Sequence, residues 1–324
     1  MNKSDLRRQV AELFIVRASG FNLDSQRLYP NLEESNSNLK RLLEEGVGGV
    51  IVLGGTVKEL EIRCNVLKKW SGKPLLLCAD VEEGVGQRFK GGTKFVPPMG
   101  IAQIYKKDQN LAISIAEKLG IITGQEAKKI GLNWVLAPVC DINNNPNNPV
   151  INLRAWGEDP STVSALSCAF HRGVSSTNVL SCAKHFPGHG NSSVDSHLEL
   201  PIIENDLSSL ENFELIPFRS LIDQEISSLM IGHLLLKNID PNYPATLSRK
   251  LVTDLLRGKL KFDGLVVSDA LVMNAISEKF SGGEAAVRAF EAGIDLIMMP
   301  EDAAEAIDAL VESFNNGRLS RARL

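Results

Sequence analysis

Asp195 and His197 stand two residues apart at the end of the run AKHFPGHGNSSVDSH, Ala183–His197. A carboxylate beside an imidazole favours the protonated ring and holds it ready to donate a proton. The same triplet also suits a solvated surface loop in which the two side chains are plain neighbours. Asp269 closes the apolar run GLVVSD. A carboxylate there can attack an anomeric carbon and divide one hard step into two through a covalent glycosyl intermediate. It can equally cap a helix, as can Ser268 before it. Asp80 and Arg88 share the segment CADVEEGVGQRF. The carboxylate can accept hydrogen bonds from two sugar hydroxyls and the guanidinium offers a fixed fork of donors, or the two can pair with each other. Arg154, in INLRAWGEDP, can reach a site or bind a nearby carboxylate. Lys184-His185 leads into a Pro-Gly-His-Gly turn, where Gly188 and Gly190 give the backbone freedom for a functional loop.

Positioning these groups requires a scaffold, and short apolar runs supply one. Eight predicted strands cover Leu13–Ala18, Gly48–Leu53, Pro74–Ala79, Asn133–Pro138, Val179–Lys184, Ser227–His233, Gly264–Asp269 and Ile294–Met299. Most are continuous rather than alternating, as for parallel strands buried on both faces. Helical patterns lie between them. One follows Asp159-Pro160, an N-cap with proline at the first helical position, and repeats Val163, Leu166, Phe170 and Val174 on one face. A second begins near Asp108 and puts Leu111, Ile115, Leu119 and Ile122 on one side. A third, Glu284–Ala292, ends at Gly293. Strand–helix alternation without a linker predicts an α/β fold, a (β/α)8 TIM-type barrel, as one domain over 1–324. A doubly wound open sheet is the rival. In a barrel the site lies at the C-terminal ends of the strands. Four of the five histidines, His185, His189, His197 and His233, fall at or just beyond two such ends, while Asp80, Asp141, Lys184 and Asp269 mark others.

Composition narrows the function classes. Of 324 residues, 44% are hydrophobic and 23% charged, with 35 Lys+Arg against 39 Asp+Glu. That is a globular profile, and the net charge of −4 without a basic run argues against a nucleic-acid partner. No apolar stretch approaches the ~20 residues of a membrane span, and MNKSDLRRQVAELF shows no apolar core of a signal peptide. Five cysteines without a CxxC pair predict neither a disulfide framework nor a zinc site, and a reducing, cytoplasmic location.

The motifs, taken in order, resemble bacterial β-N-acetylglucosaminidases of glycoside hydrolase family 3, of the single-domain type linked to peptidoglycan recycling. KHFPGHGxxxxDSHLELP carries the resemblance most specifically. GVGGVIVLGG, CADVEEGVGQRF, LNWVLAPVCDIN, NPVINLRAWGEDP and VVSDALVMNAI follow the same order along nearly the whole chain. The resemblance implies Asp269 as nucleophile and His197 as acid/base, tuned by Asp195. It places Asp80, Arg88, Arg154, Lys184 and His185 against the terminal N-acetylglucosamine. His189 is implied to support the loop and His233 to be structural.

The implied reaction is retaining exo-hydrolysis of a terminal β-linked N-acetylglucosamine from a peptidoglycan fragment, with no cofactor and no metal. An imidazole of intrinsic pKa near 6.5 can be protonated in the first step and neutral in the second. Phosphorolysis is an alternative, since a neutral histidine does not repel phosphate, as is a broader β-glycosidase. A Schiff-base aldolase using Lys184 and a non-catalytic sugar-binding protein leave the Asp195, His197 and Asp269 set unexplained. The sequence departs from the family where Val85 replaces an arginine and where Arg154-Ala155-Trp156 stands for a common Arg-Ser-Phe. It also ends at GRLSRARL, which predicts an abbreviated last element and a less secure barrel closure.

Overall fold

A computed structural model describes residues 3–324. Eight parallel strands form its centre: β1 (Phe14–Ser19), β2 (Gly49–Leu53), β3 (Leu76–Ala79), β4 (Trp134–Val135), β5 (Leu180–Phe186), β6 (Ser228–Ile231), β7 (Leu265–Ser268) and β8 (Ile297–Met298). Successive strands from β1 to β7 pair in chain order, and β8 pairs with β1 through Phe14 opposite Ile297. Between β7 and β8 a bridge joins Val267 to Leu296, and Ser268 N–H donates to Leu296 O at 3.0 Å. The ring therefore closes, with helices between successive strands: the expected (β/α)8 barrel. The final α-helix spans Ala303–Asn315 and a short turn, Arg321–Arg323, follows it, while the β7–β8 junction is an isolated bridge and not a continuous ladder.

Strand parity explains how the barrel is filled. Along a strand successive side chains point to opposite faces. Ile15, Ile51, Cys78, Trp134, Cys182, Met230, Val267 and Met298 point inward and pack into one apolar cluster. Their neighbours Phe14, Val16, Val50, Leu77, Val135, Ala183, Leu229, Val266 and Ile297 point outward into the layer between strands and helices. Both faces are apolar, which is why the strands read as continuous runs. Predicted strand ends overran most of the real ones: Asn133–Pro138 yields Trp134–Val135, whereas Val179–Lys184 extends to Phe186.

Two of the three expected helices match closely. Pro160–Ser175 starts after Asp159, whose carboxylate caps Thr162 N–H, and Gly282–Ala292 ends at Gly293. The helix Gln109–Lys129 starts where expected, capped by Asp108, but its buried face corrects the expectation. Its buried face is Ala112, Ala116, Gly120, Thr123, Gly124 and Ala127, while Leu111 and Ile122 are exposed. The reason is close packing against Pro160–Ser175. A Cβ on Gly120 would stand 2.2 Å from Phe170 O, so small residues, not the leucine and isoleucine set, face the neighbour. A separate pairing of Ile202–Ile203 with Leu235–Leu236 ties the segment after β5 to the segment after β6.

Candidate active site

The inward parity continues past the apolar cluster into a polar floor. Two residues beyond Ile15, Cys78, Cys182 and Val267 come Arg17, Asp80, Lys184 and Asp269. All four line one cavity of about 790 Å³, with Glu82, Arg88, Arg154, His185 and His197. Every expected substrate-contacting residue is on that wall, together with Asp269 and His197. Asp195 is not on it but lies directly behind His197.

Lysine 184 is buried and charged, so it needs partners. Its Nζ donates to Asp80 Oδ1 and Glu82 Oε1, both at 2.6 Å. Arg154 holds Glu82 with a two-pronged contact, Nε to Oε2 at 2.9 Å and Nη2 to Oε1 at 2.8 Å. Burial would raise the Glu82 carboxyl, but Lys184 and Arg154 hold it well below the usual carboxylate range. Burial would likewise lower Lys184, and Asp80 and Glu82 instead hold it above the ordinary lysine value. The lysine is thus fixed as an ammonium, which is unsuited to forming a Schiff base. Arg88 does not pair with the Asp80 carboxylate: its Nε donates to the Asp80 carbonyl at 3.0 Å.

Asp269 is half-buried at the end of β7. It does not cap a helix, because the next helix begins at Asn274 after Met273. Burial opposes its ionisation, yet the His233 and His185 rings, the Ala270 N–H (2.8 Å to Oδ1) and His197 hold it below its ordinary value. His233 is buried, bonded to Thr246 Oγ1 at 2.7 Å and Ala270 O at 2.9 Å. His185 is oriented by Asp141, whose Oδ2 accepts from Nδ1 at 2.8 Å, so Nε2 is left for the cavity. Asp141 also accepts the His189 N–H at 2.6 Å.

The loop from Pro187 to Pro201 is gripped at both ends. His189 is buried and bonds Ser192 Oγ (2.7 Å) and Ser196 Oγ (3.1 Å), so it braces the turn as expected. Gly188 has φ 127°. Gly190 instead serves close approach, since a Cβ there would meet Ile142 O at 1.6 Å. Leu235 N–H donates to Pro201 O at 2.9 Å at the far end. Between these anchors Asp195 Oδ1 accepts from both the backbone N–H and Nδ1 of His197, each at 2.8 Å. That pairing puts a proton on Nδ1 and leaves Nε2 free, while the His197 side chain is 64% exposed at the mouth.

Sequence reasoning missed Arg17 and Glu82 and gave Asp141 no role. Parity along β1 was a usable signal for Arg17, since Ile15 faces inward. Glu82 had none, because its partners lie about 70 and 100 positions away. No cluster of three or more His, Cys, Asp or Glu side chains placed to hold a metal occurs among the described residues. No described helix is long and apolar enough to cross a membrane.

Comparison with known proteins gives the same outline. The sequence profile described as "Glycosyl hydrolase family 3 N terminal domain" matches residues 5–324. Beta-hexosaminidase A of Pseudoalteromonas piscicida is 35% identical over 241 residues, 70% of this chain but 40% of that protein. The beta-hexosaminidase of Tolumonas auensis is 34% identical over 280 residues, covering 85% of this chain and 82% of that one. Among solved structures, a glycoside hydrolase family 3 beta-N-acetylglucosaminidase from Paenibacillus sp. str. FPU-7 superposes with a TM-score of 0.86 at 34% identity. That match covers 98% of this chain and 59% of the other, so the chain spans well under two thirds of some relatives.

Proposed function

The chain belongs to glycosyl hydrolase family 3, and from that membership we propose that residues 1–324 act as one retaining exo-β-N-acetylglucosaminidase barrel. Its substrate is a peptidoglycan fragment ending in β-linked N-acetylglucosamine, handled in the cytoplasm. Five free, buried cysteines support a reducing location. The observation that carries the reading is that Asp269 and His197 line one cavity with Asp80, Arg88, Arg154, Lys184 and His185.

In this reading the five polar residues hold the sugar hydroxyls and set its anomeric carbon over Asp269. The Asp269 carboxylate attacks that carbon as His197 passes its Nε2 proton to the departing oxygen. Asp195 stabilises the charged ring before donation and keeps its Nδ1 proton in place. In the second step neutral His197 takes a proton from water, which displaces Asp269 and releases the sugar with its β-configuration retained. The exposed His197 ring reaches the glycosidic oxygen when its loop tip swings inward, while the anchors at Asp141 and Leu235 keep the loop in register.

A slow 2-deoxy-2-fluoro sugar, followed by peptide mass analysis, tests the assignment: the label is expected on Asp269, and a label elsewhere overturns it. Product analysis with a defined anhydro-muropeptide, with and without phosphate, tests the substrate and the acceptor. Free N-acetylglucosamine in both conditions supports hydrolysis. A sugar 1-phosphate formed as the main product makes the protein a phosphorylase instead.

A further inference from the structure

The cavity floor holds a cation that the proposed reaction leaves unused. Arg17 stands on β1 in the same inward layer as Asp80, Lys184 and Asp269, and lines the same cavity. Its Nε–H is buried without a hydrogen-bond partner among the described residues. The Glu33 Oε1 lies 3.9 Å from Arg17 Nη2, a long ion pair outside hydrogen-bond reach, and that oxygen likewise has no hydrogen-bond partner among the described residues. By contrast Arg154 and Lys184 each have hydrogen-bonded carboxylate partners in Glu82 and Asp80. Arg88, on the same wall, donates Nε to a carbonyl and pairs with no carboxylate among the described residues. The lining carries four permanent cations, Arg17, Arg88, Arg154 and Lys184, against three carboxylates, Asp80, Glu82 and Asp269. The two cations without a hydrogen-bonded carboxylate are Arg17 and Arg88. Burial lowers the Arg17 guanidinium from its ordinary value; Glu33 and Tyr29 oppose this and Arg88 adds to it.

We infer that the sugar on the floor carries an oxyanion, a phosphate ester or a carboxylate, which Arg17 holds with Arg88 beside it. The inference rests on the glycosidase reading of this cavity and states which terminal sugars enter it. An arginine fork matches either oxyanion with paired hydrogen bonds. The Arg17 side chain is only 11% exposed, so a charge contact to it is strengthened; the Tyr29 ring lies 4.9 Å from its guanidinium carbon, with Leu28, Tyr29 and Leu32 exposed at the rim above it. Height in the barrel assigns the anion to the terminal sugar and not to the leaving group. Arg17 shares the layer of the residues beneath the sugar, whereas the leaving group departs towards His197 at the mouth.

Calorimetric titration of the whole chain tests this with four probes: N-acetylglucosamine, its 6-phosphate, its 6-carboxylate and inorganic phosphate. One acidic sugar is expected to bind at least about tenfold more tightly than the neutral one, the effect of one or two charge-assisted hydrogen bonds. Which acidic sugar wins identifies the oxyanion. In Arg17→Met the ratio of acidic to neutral affinity is expected to fall to about one, and Arg17→Lys to keep part of it. Equal affinity for acidic and neutral sugars in the unaltered protein overturns the inference, as does a preference that survives Arg17→Met. Inorganic phosphate binding as tightly as the sugar phosphate, with the same loss in Arg17→Met, assigns the site to free phosphate and overturns it too. Failure of every sugar to bind, the neutral one included, removes the N-acetylglucosaminidase reading itself and this inference with it. Arg17→Met combined with Glu33→Gln avoids stranding a buried carboxylate if the single variant does not fold.

Discussion

Asp269, His197 and Asp195 divide the proposed chemistry between them, and substitution separates their shares. Asp269→Ala is expected to reduce turnover by on the order of 10⁴-fold or more, because no glycosyl-enzyme can form. His197→Ala is expected to cost about 10²–10⁴-fold on substrates with poor leaving groups and far less on activated aryl glycosides, which need little proton donation. Equal losses on both, in steady-state kinetics, would count against His197 as the acid. Asp141 has a different signature. Burial opposes its ionisation, but the His185 ring and the His189 N–H hold it below its ordinary value. A depressed folded-state pKa gives stability that is complete above the unfolded value, about 3.9, and is lost as pH falls through the folded one. The Tm difference between the unaltered protein and Asp141→Asn is therefore expected to narrow as pH is lowered from 5 to 3. A difference that stays constant would mean that Asp141 is not ionised in the folded protein.

At the scale of elements, the close approach of Gln109–Lys129 to Pro160–Ser175 sets a strict size limit. Gly120→Ala is expected to destabilise by about 1–3 kcal/mol despite alanine's better helix propensity, because its Cβ meets Phe170 O. Urea unfolding measures this, and a stabilised variant would show that the two helices separate at no cost. The expected face of that helix failed for a related reason. Apolar periodicity finds the greasiest side of a helix, whereas two helices in contact through backbone select the smallest side. The Pro160–Ser175 helix was legible because Asp159 and Pro160 fix its start through local hydrogen bonding, whatever packs against it. The D-x-H loop was legible for the same reason, since Asp195 bonds the backbone and ring of a residue two positions on.

Across the whole molecule, the polar floor joins distant parts of the barrel. Glu82 follows β3, Arg154 follows β4 and Lys184 lies on β5, and their contacts hold these polar groups in one layer of the cavity. Glu82→Ala removes the centre of this network and leaves Arg154 and half of the Lys184 contact unpaired. It is expected to destabilise by about 3–5 kcal/mol and to lower kcat/KM together with stability, measured by denaturant unfolding and steady-state kinetics. Loss of stability with unchanged kcat/KM would show that the network supports the fold without positioning the sugar site.

Chain-local physics made the barrel, its strand positions within a few residues, and the Asp195–His197 and Asp269 candidates readable in advance. Buried parallel strands are continuous apolar runs, and charged residues at their C-terminal ends are costly unless they have work to do. Tertiary structure alone decided which charge neutralises which. Asp80 was open to pairing with Arg88, yet its carboxylate took Lys184, and Arg154 found Glu82. Those choices depend on how eight strands close into a ring and on which side chains share its inward layer. Distances of that kind arise between residues far apart in sequence, so no local pattern encodes them.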